Sequence, residues 1–354
     1  MSELLLLDME QIVSDGIIPW NSLNGSTVLV TGATGLIGSA IVRALFAAKE
    51  KHGLTIGILA TGRDRSKAKQ LVEYYGAEFF EQDICEPLMV HCNVDYVFHC
   101  AASTKSSDMA ANPVGVIETS IKGMINVLTL AKEKHVKSMV YLSSMEVYGI
   151  TDPDLPKVTE DILGFIDLKS PRSCYPESKR TCECLCNCGF KQYGLPVKTA
   201  RLAQTFGAGT AGDDPRVFAQ FARSALAGEN IVLHTEGHSL GNYCYISDAV
   251  RGLFLLLLKG ENGEAYNISN PEASMTIREM AELVSKKVCG GRVSVIIEKP
   301  LDIGKLGYAP DVTTRLSVEK LEKLGWKAKY GLAEMYGRMM ADWRNSSRQY
   351  ELGE

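Results

Sequence analysis

The stretch TVLVTGATGLIG, residues 27–38, restricts the fold of this chain more than any other. A β-branched run ends at Thr31, glycines follow at 32, 35 and 38, and an amphipathic pattern begins directly behind them. At such a strand-to-helix turn the first glycine permits the tight bend, the second lets backbone approach a diphosphate, and the third lets helix and strand pack closely. The helix N-terminus then offers its N–H groups to phosphate. Gly32, Gly35 and Gly38, with Thr34, Leu36 and Ile37 between them, are the candidate dinucleotide-binding turn, spaced G-x-x-G-x-x-G.

The rhythm continues through the first half. The runs LTIGILATG, VDYVFHCAA and KSMVYLSS are separated by helical patterns, one from Ser39 and another from about Pro113. Such alternation predicts an α/β fold, a Rossmann-type doubly wound parallel sheet. Ile41, Val42, Leu45 and Phe46 have the spacing of one buried helical face. After Arg201 the chain loosens into QTFGAGTAGDD, which has no strand period, before the amphipathic RVFAQFARSALAG. Further on, Thr276 and Glu279 form a capping box, and a helix is expected from Ser317 to Gly325. The expected division is a leader, 1–23; a dinucleotide-binding domain, 24–202, with 242–259 packing back onto it; and a smaller α/β substrate-binding region, 203–241 and 260–345.

Composition narrows the partners. With 354 residues, 45% hydrophobic, the chain can bury a large core, and its net charge of −4 gives no global pull toward nucleic acid or an anionic membrane. The apolar run Leu4–Leu7 is cut short by Asp8 and has no basic residues before it, unlike a signal peptide. No other apolar run approaches the roughly 20 residues that cross a bilayer. Ten cysteines without an export signal suggest reduced thiols and a cytoplasmic location.

Three further stretches stand out. The second strand ends ATGRDRSK, placing Arg63 near the site where a carboxylate would select NAD; a cation there favours NADP. Tyr175 and Lys179 lie four apart and share a helical face, where an ammonium favours the phenolate of a base that can deprotonate a hydroxyl. YLSSMEVYG closes a predicted strand about thirty residues earlier and contains Ser144.

The ordered set of glycine turn, YLSSMEVYG and YPESKR resembles the extended short-chain dehydrogenase/reductase superfamily, in its nucleotide-sugar epimerase, dehydratase and decarboxylase branch, over about Asn24 to Trp343. The resemblance implies that Ser144 holds the reacting oxygen, Tyr175 is the acid/base, and Lys179 holds the nicotinamide ribose. It implies that Asp83 and Ile84 meet the adenine, and that Cys100, Ala101 and Ala102 lie against NAD or NADP. It also implies C4 oxidation of a nucleotide-diphosphate sugar to a ketone, in support of surface polysaccharide, and a homodimer formed through a four-helix bundle from the helix at Pro113–Lys134 and the one bearing Tyr175.

PRSCYPESKR and TEGHSLGNYCYISDAV are most similar to UDP-glucuronate decarboxylases, which keep a glutamate at the Glu146 position. Sugar 4,6-dehydratases carry an acid where this chain has Met145, and methionine has no proton to donate. The family's arginine falls at Gly241 and its asparagine at Gln204, both in the substrate site; Arg172, Arg216 or Arg278 are candidates to supply the missing cation. The reading is an epimerase or decarboxylase, with a 4,6-dehydratase, an NADP-dependent reductase and a non-catalytic nucleotide-binding protein as alternatives. No zinc-like spacing of Cys and His appears, so no metal is expected. In the run Cys182, Cys184, Cys186 and Cys188, helical geometry puts Cys182 and Cys186 with Lys179 and the other two on the far side.

Overall fold

The computed structural model describes residues 2–298 and 312–351. Seven parallel strands build the central sheet: β1 (Ser26–Thr31), β2 (Ile56–Gly62), β3 (Glu78–Glu81), β4 (Tyr96–His99), β5 (Ser138–Ser144), β6 (Val197–Leu202) and β10 (Ala265–Ile268), in the order β3-β2-β1-β4-β5-β6-β10. The inner strands β1, β4 and β5 are mostly buried because both faces are covered, whereas edge strand β3 exposes Glu78 and Glu81. Val28 and Val30 point into one core with Ile41, Leu45 and Leu253, while Leu29 points into the other with Met124, Val127 and Leu130. The strand order reverses between β1 and β4, and in such sheets the ligand crevice lies beyond the carboxyl ends at that point.

Helices α2 (Leu36–His52) and α8 (Ile246–Lys259) cover one face, and α5 (Pro113–Glu133) and α6 (Cys174–Tyr193) the other. Helix α2 begins three residues before the expected Ser39, because Gly35 is its N-cap. Two short helices, α3 (Lys69–Glu73) and α4 (Ser106–Ala111), complete this half. By length and composition α5 is apolar enough to cross a membrane, yet it packs against α6 and buries Met124, Val127, Leu130 and Ala131 in the core.

The remaining elements are β7 (Gln204–Phe206), α7 (Val217–Ala227), β8 (Ile231–Leu233), β9 (Leu240–Tyr245), β11 (Asn270–Thr276), α9 (Ile277–Leu283), β12 (Val295–Ile297), α10 (Glu319–Glu322) and α11 (Leu332–Glu351). Strands β11, β9 and β7 form a second sheet, and β12 pairs with β8. Three expectations are corrected. The stretch read as lacking a strand contains β7, whose three residues are too few to show a period. Strand β10 belongs to the central sheet, beside β6, although 260–345 was placed with the substrate region; of that span, residues 299–311 lie outside the described residues. The expected helix from Ser317 to Gly325 is regular only over α10, and Gly325 turns the chain away with φ +95°. The capping box at Thr276 and Glu279 forms as expected.

The leader is helical. It forms α1 (Glu3–Val13), with Ser2 as N-cap, and buries Met9, Ile12 and Val13 in the same core as β1. Its polar side chains reach far along the chain: Asp8 accepts from Tyr245 and pairs with Arg338, and Asp15 pairs with Arg251. Helix α1 is thus an outer layer over α2 and α8, while Leu6 and Leu7 of the apolar run stay exposed.

Candidate active site

The glycine turn is closed by its neighbours. Gly32 has φ +64°, and a Cβ on it would lie 2.7 Å from the Ala101 nitrogen; a Cβ on Gly38 would lie 2.4 Å from the Gly32 carbonyl oxygen. Cys100 and Ala101, just beyond the end of β4, therefore press against the turn, and no side chain fits at either glycine. At Gly35, by contrast, the nearest atom to a Cβ is 3.4 Å away. The extended Gly35 caps α2 and leaves the first-turn N–H groups without a side-chain acceptor, a cradle that fits a dinucleotide diphosphate.

Around this turn, Ile84 is buried and its carbonyl accepts from Asn126, while the Asp83 carboxylate accepts from the Cys85 N–H. Burial pushes the Cys100 thiol far above its usual range. At the end of β2, Arg63 is exposed, and the neighbouring Asp64 carboxylate accepts from the Ser66 and Lys67 N–H groups. Beneath the turn lies a layer that sequence reasoning did not single out: His99 hydrogen-bonds Thr31 at 2.8 Å and stacks on Tyr141.

Strand β5 ends at Ser144, whose side chain accepts from the Glu146 N–H at 3.2 Å and starts a 3-10 turn, Met145–Tyr148. Helix α6 starts at Cys174 and points Tyr175 and Lys179 inward, both buried. The Ser144 hydroxyl lies on the Tyr175 phenol's side of the site and favours its ionised form. Burial, then the Glu146 charge, pushes that phenol well above its usual range, against the pull of Ser144, Arg172 and Arg216. Lys179 Nζ donates to the Leu142 carbonyl at 2.7 Å and lies 5.7 Å from the centroid of the Tyr175 ring. Burial pulls this ammonium down to about 8. The lysine read as polarising the phenol is thus turned toward backbone, and the groups favouring the phenolate are Ser144 and two arginines.

Glu146 accepts from Arg172 Nη2 at both oxygens, 3.1 and 2.8 Å. The guanidinium carbon of Arg172 lies 5.9 Å from the Tyr175 ring centroid, and its Nη1 is buried with no partner among the described residues. Gln204, two residues beyond the Leu202 that pairs with Ser144, likewise has a buried Oε1 without a partner among the described residues. Arg216 is held on Asp214 and stacks over Phe218. Arg278 pairs with Glu236 and Glu282. At Gly241 a Cβ would meet the Tyr243 hydroxyl at 2.2 Å. The structure therefore gathers Ser144, Glu146, Arg172, Tyr175 and Lys179 at one end of the sheet. The Arg172–Glu146 pair was missed as a pair; its one signal is the arginine three residues before Tyr175.

Cys182 and Cys186 are buried behind Lys179, and Cys184 and Cys188 are exposed, as helical spacing predicts. Among the described residues no group of three or more Cys, His, Asp or Glu is arranged to hold a metal ion.

A sequence profile described as the NAD dependent epimerase/dehydratase family matches residues 28–269. The chain belongs to that family. It is 32% identical to UDP-glucuronic acid decarboxylase 6 of Arabidopsis thaliana over 321 residues, which cover 90% of this chain and 88% of that protein. It is also 32% identical to UDP-glucuronic acid decarboxylase 1 of Danio rerio, over 74% of this chain and 60% of that one. In fold it matches UDP-glucose 4-epimerase of Thermotoga maritima with UDP-glucose (TM-score 0.77, 24% identity, 91% of this chain and 99% of that chain). It matches UDP-glucuronic acid 4-epimerase of Bacillus cereus, in complex with UDP-glucuronic acid and NAD, with a TM-score of 0.74 at 20% identity over 90% and 99% of the two chains. This member of the epimerase/dehydratase family is accordingly an NAD(P)-dependent enzyme with a Rossmann-type sheet.

Proposed function

We propose that this enzyme oxidises C4 of the sugar in a nucleotide-diphosphate sugar and completes turnover by losing a carboxyl group or inverting C4. The observation that carries the reading is the meeting of Ser144, Tyr175 and Lys179 at the carboxyl end of β5, beside the glycine turn. Bound NAD or NADP, held by Gly32–Gly38 and Lys179, would accept hydride from C4 and return it to the ketone at the end of turnover. Tyr175 takes the proton of the C4 hydroxyl, and Ser144 hydrogen-bonds the same oxygen. With a ketone at C4, a carboxylate on C5 is a β-keto acid: loss of carbon dioxide sends its electron pair into the C4 oxygen, which Ser144 and the Tyr175 phenol then hold. The relatives named as decarboxylases support this branch. Met145 disfavours dehydration, because it cannot protonate a departing hydroxyl.

The test is incubation with UDP-glucuronate, UDP-glucose and other sugar nucleotides, read by mass spectrometry with isomer separation. Loss of carbon dioxide marks a decarboxylase, an isomer of unchanged mass an epimerase. Tyr175→Phe is expected to lower turnover by about 10²–10⁴-fold; unchanged turnover would sink the mechanism. For the cofactor, exposed Arg63 beside an Asp64 engaged in its own turn supports NADP. Titration should show tighter binding of NADP than of NAD, and the reverse order refutes this preference.

The enzyme is further proposed to work as a homodimer. Val114, Ile117 and Ile125 are exposed on α5, and Cys184 and Cys188 are exposed on α6, which packs against it. Two such helix pairs packed face to face make a four-helix bundle.

A further inference from the structure

We infer that Arg172 is the docking point for an anionic group of the substrate, and that Glu146 is the counter-ion which this group displaces. The inference rests on the sugar-nucleotide reading above and deepens it.

The cation expected at position 241 is absent, and the fold has closed its place. A Cβ there would fall 2.2 Å from the Tyr243 hydroxyl and 2.4 Å from its ring, and Tyr243 is fully buried. The other arginines near the site are committed. Arg216 is held by Asp214 and Phe218, and Arg180 donates to the Val147 and Gly164 carbonyls and to Glu177. Arg201 is locked between Glu183, the Tyr148 hydroxyl and the Glu160 carbonyl. Arg172 differs: Nη2 alone reaches Glu146, and Nη1 is buried with no acceptor among the described residues. A guanidinium is a planar fork that takes two oxygens of a carboxylate or phosphate at once, and an enclosed N–H without an acceptor is a cost that an arriving oxyanion removes.

Exposure separates this pair from a structural one. The Arg172 and Glu146 side chains are 36% and 37% exposed, against 7% and 10% for Arg201 and Glu183. An ion pair that water reaches can exchange partners at little cost; a buried one cannot. Its place is also suitable, since Arg172 lies beside the Tyr175 ring and Glu146 follows Ser144 by two residues. An anion on Arg172 is then held alongside the reacting oxygen, and Glu146 is freed as a base at the moment the substrate is seated.

The test is calorimetric binding of UDP-glucuronate, UDP-glucose and UDP to the cofactor-loaded enzyme, comparing wild type, Arg172→Gln, Arg172→Lys, Glu146→Gln and the double variant Arg172→Gln/Glu146→Gln. Arg172→Gln should weaken UDP-glucuronate by about 10- to 100-fold, the worth of a charge-assisted hydrogen-bond pair, and Arg172→Lys by less. Unchanged UDP-glucose and UDP affinity identifies the sugar carboxylate as the anion; equal loss for all three identifies the diphosphate. Glu146→Gln should tighten the same ligand several-fold when Arg172 is present and have no such effect in Arg172→Gln. A tightening that persists without Arg172 reflects plain repulsion and overturns the exchange. If wild type binds and Arg172→Gln, folded by circular dichroism, binds all three equally well, the Arg172 assignment alone falls; if wild type binds none of them, the sugar-nucleotide reading falls with it.

Discussion

Tyr175 owes its acidity to opposed neighbours rather than to any single one. Burial and the Glu146 carboxylate raise the pKa of the phenol, while Ser144 and the Arg172 and Arg216 charges lower it. The sign of each change follows. Glu146→Gln removes a negative neighbour, makes the phenolate easier to form, and should move the rising limb of the kcat/KM profile to lower pH. Arg172→Gln removes a positive one and should move that limb to higher pH. Rates measured well into the alkaline range, to about pH 11, decide the matter, and a limb fixed in both variants means another group reports it. At this scale the sequence was informative wherever a residue's role follows from its local backbone. Gly32, Gly35, Gly38, Tyr175 and Lys179 stand out by spacing, and Ser144 through the family resemblance. The Arg172–Glu146 pair spans 26 residues and two elements, so no period in the chain announces it.

Helix α6 is held in register by one buried ion pair. Arg201 on β6 donates through Nε and Nη2 to Glu183, which also accepts from Ser143 on β5, so the catalytic helix is fixed to two strands at once. Removing one partner leaves the other charge buried alone, at a cost of roughly 3–5 kcal/mol. Glu183→Leu should therefore lower unfolding free energy in urea by about that amount, whereas Cys184→Ser, on the exposed side of the same helix, should change it by less than about 0.5 kcal/mol. Equal effects of the two would show that the pair does not anchor the helix. The two-sided cysteine pattern was readable because a 20-residue helix repeats its period several times. Three-residue β7 and four-residue β10 complete no such pattern, and both were missed or misplaced for that reason. Their positions are set by partners distant in sequence, β9 and β6.

On the whole molecule, the proposed dimer makes a prediction that mass alone does not. Light scattering should give twice the chain mass, and thiol labelling should report where the copies meet. Cys184 and Cys188 should react more slowly, relative to exposed Cys92, as protein concentration rises through the dimerisation range. A constant ratio would move the interface away from α6. The doubly wound architecture was legible from alternation alone, but the place of α1 was not, since it packs on α2, α8 and α11, all later in the chain. That placement bears on how the protein is made. Asp8 meets Arg338 across 330 residues, and a ribosome adds about 5–20 residues each second. The first helix therefore spends tens of seconds outside the ribosome before its cation has been synthesised. During that interval Met9, Ile12 and Val13 have α2 to rest against but lack the layer contributed by α11, so nascent chains stalled before Arg338 should be held together more loosely at their beginning than at the glycine turn, and more open there to proteases and chaperones.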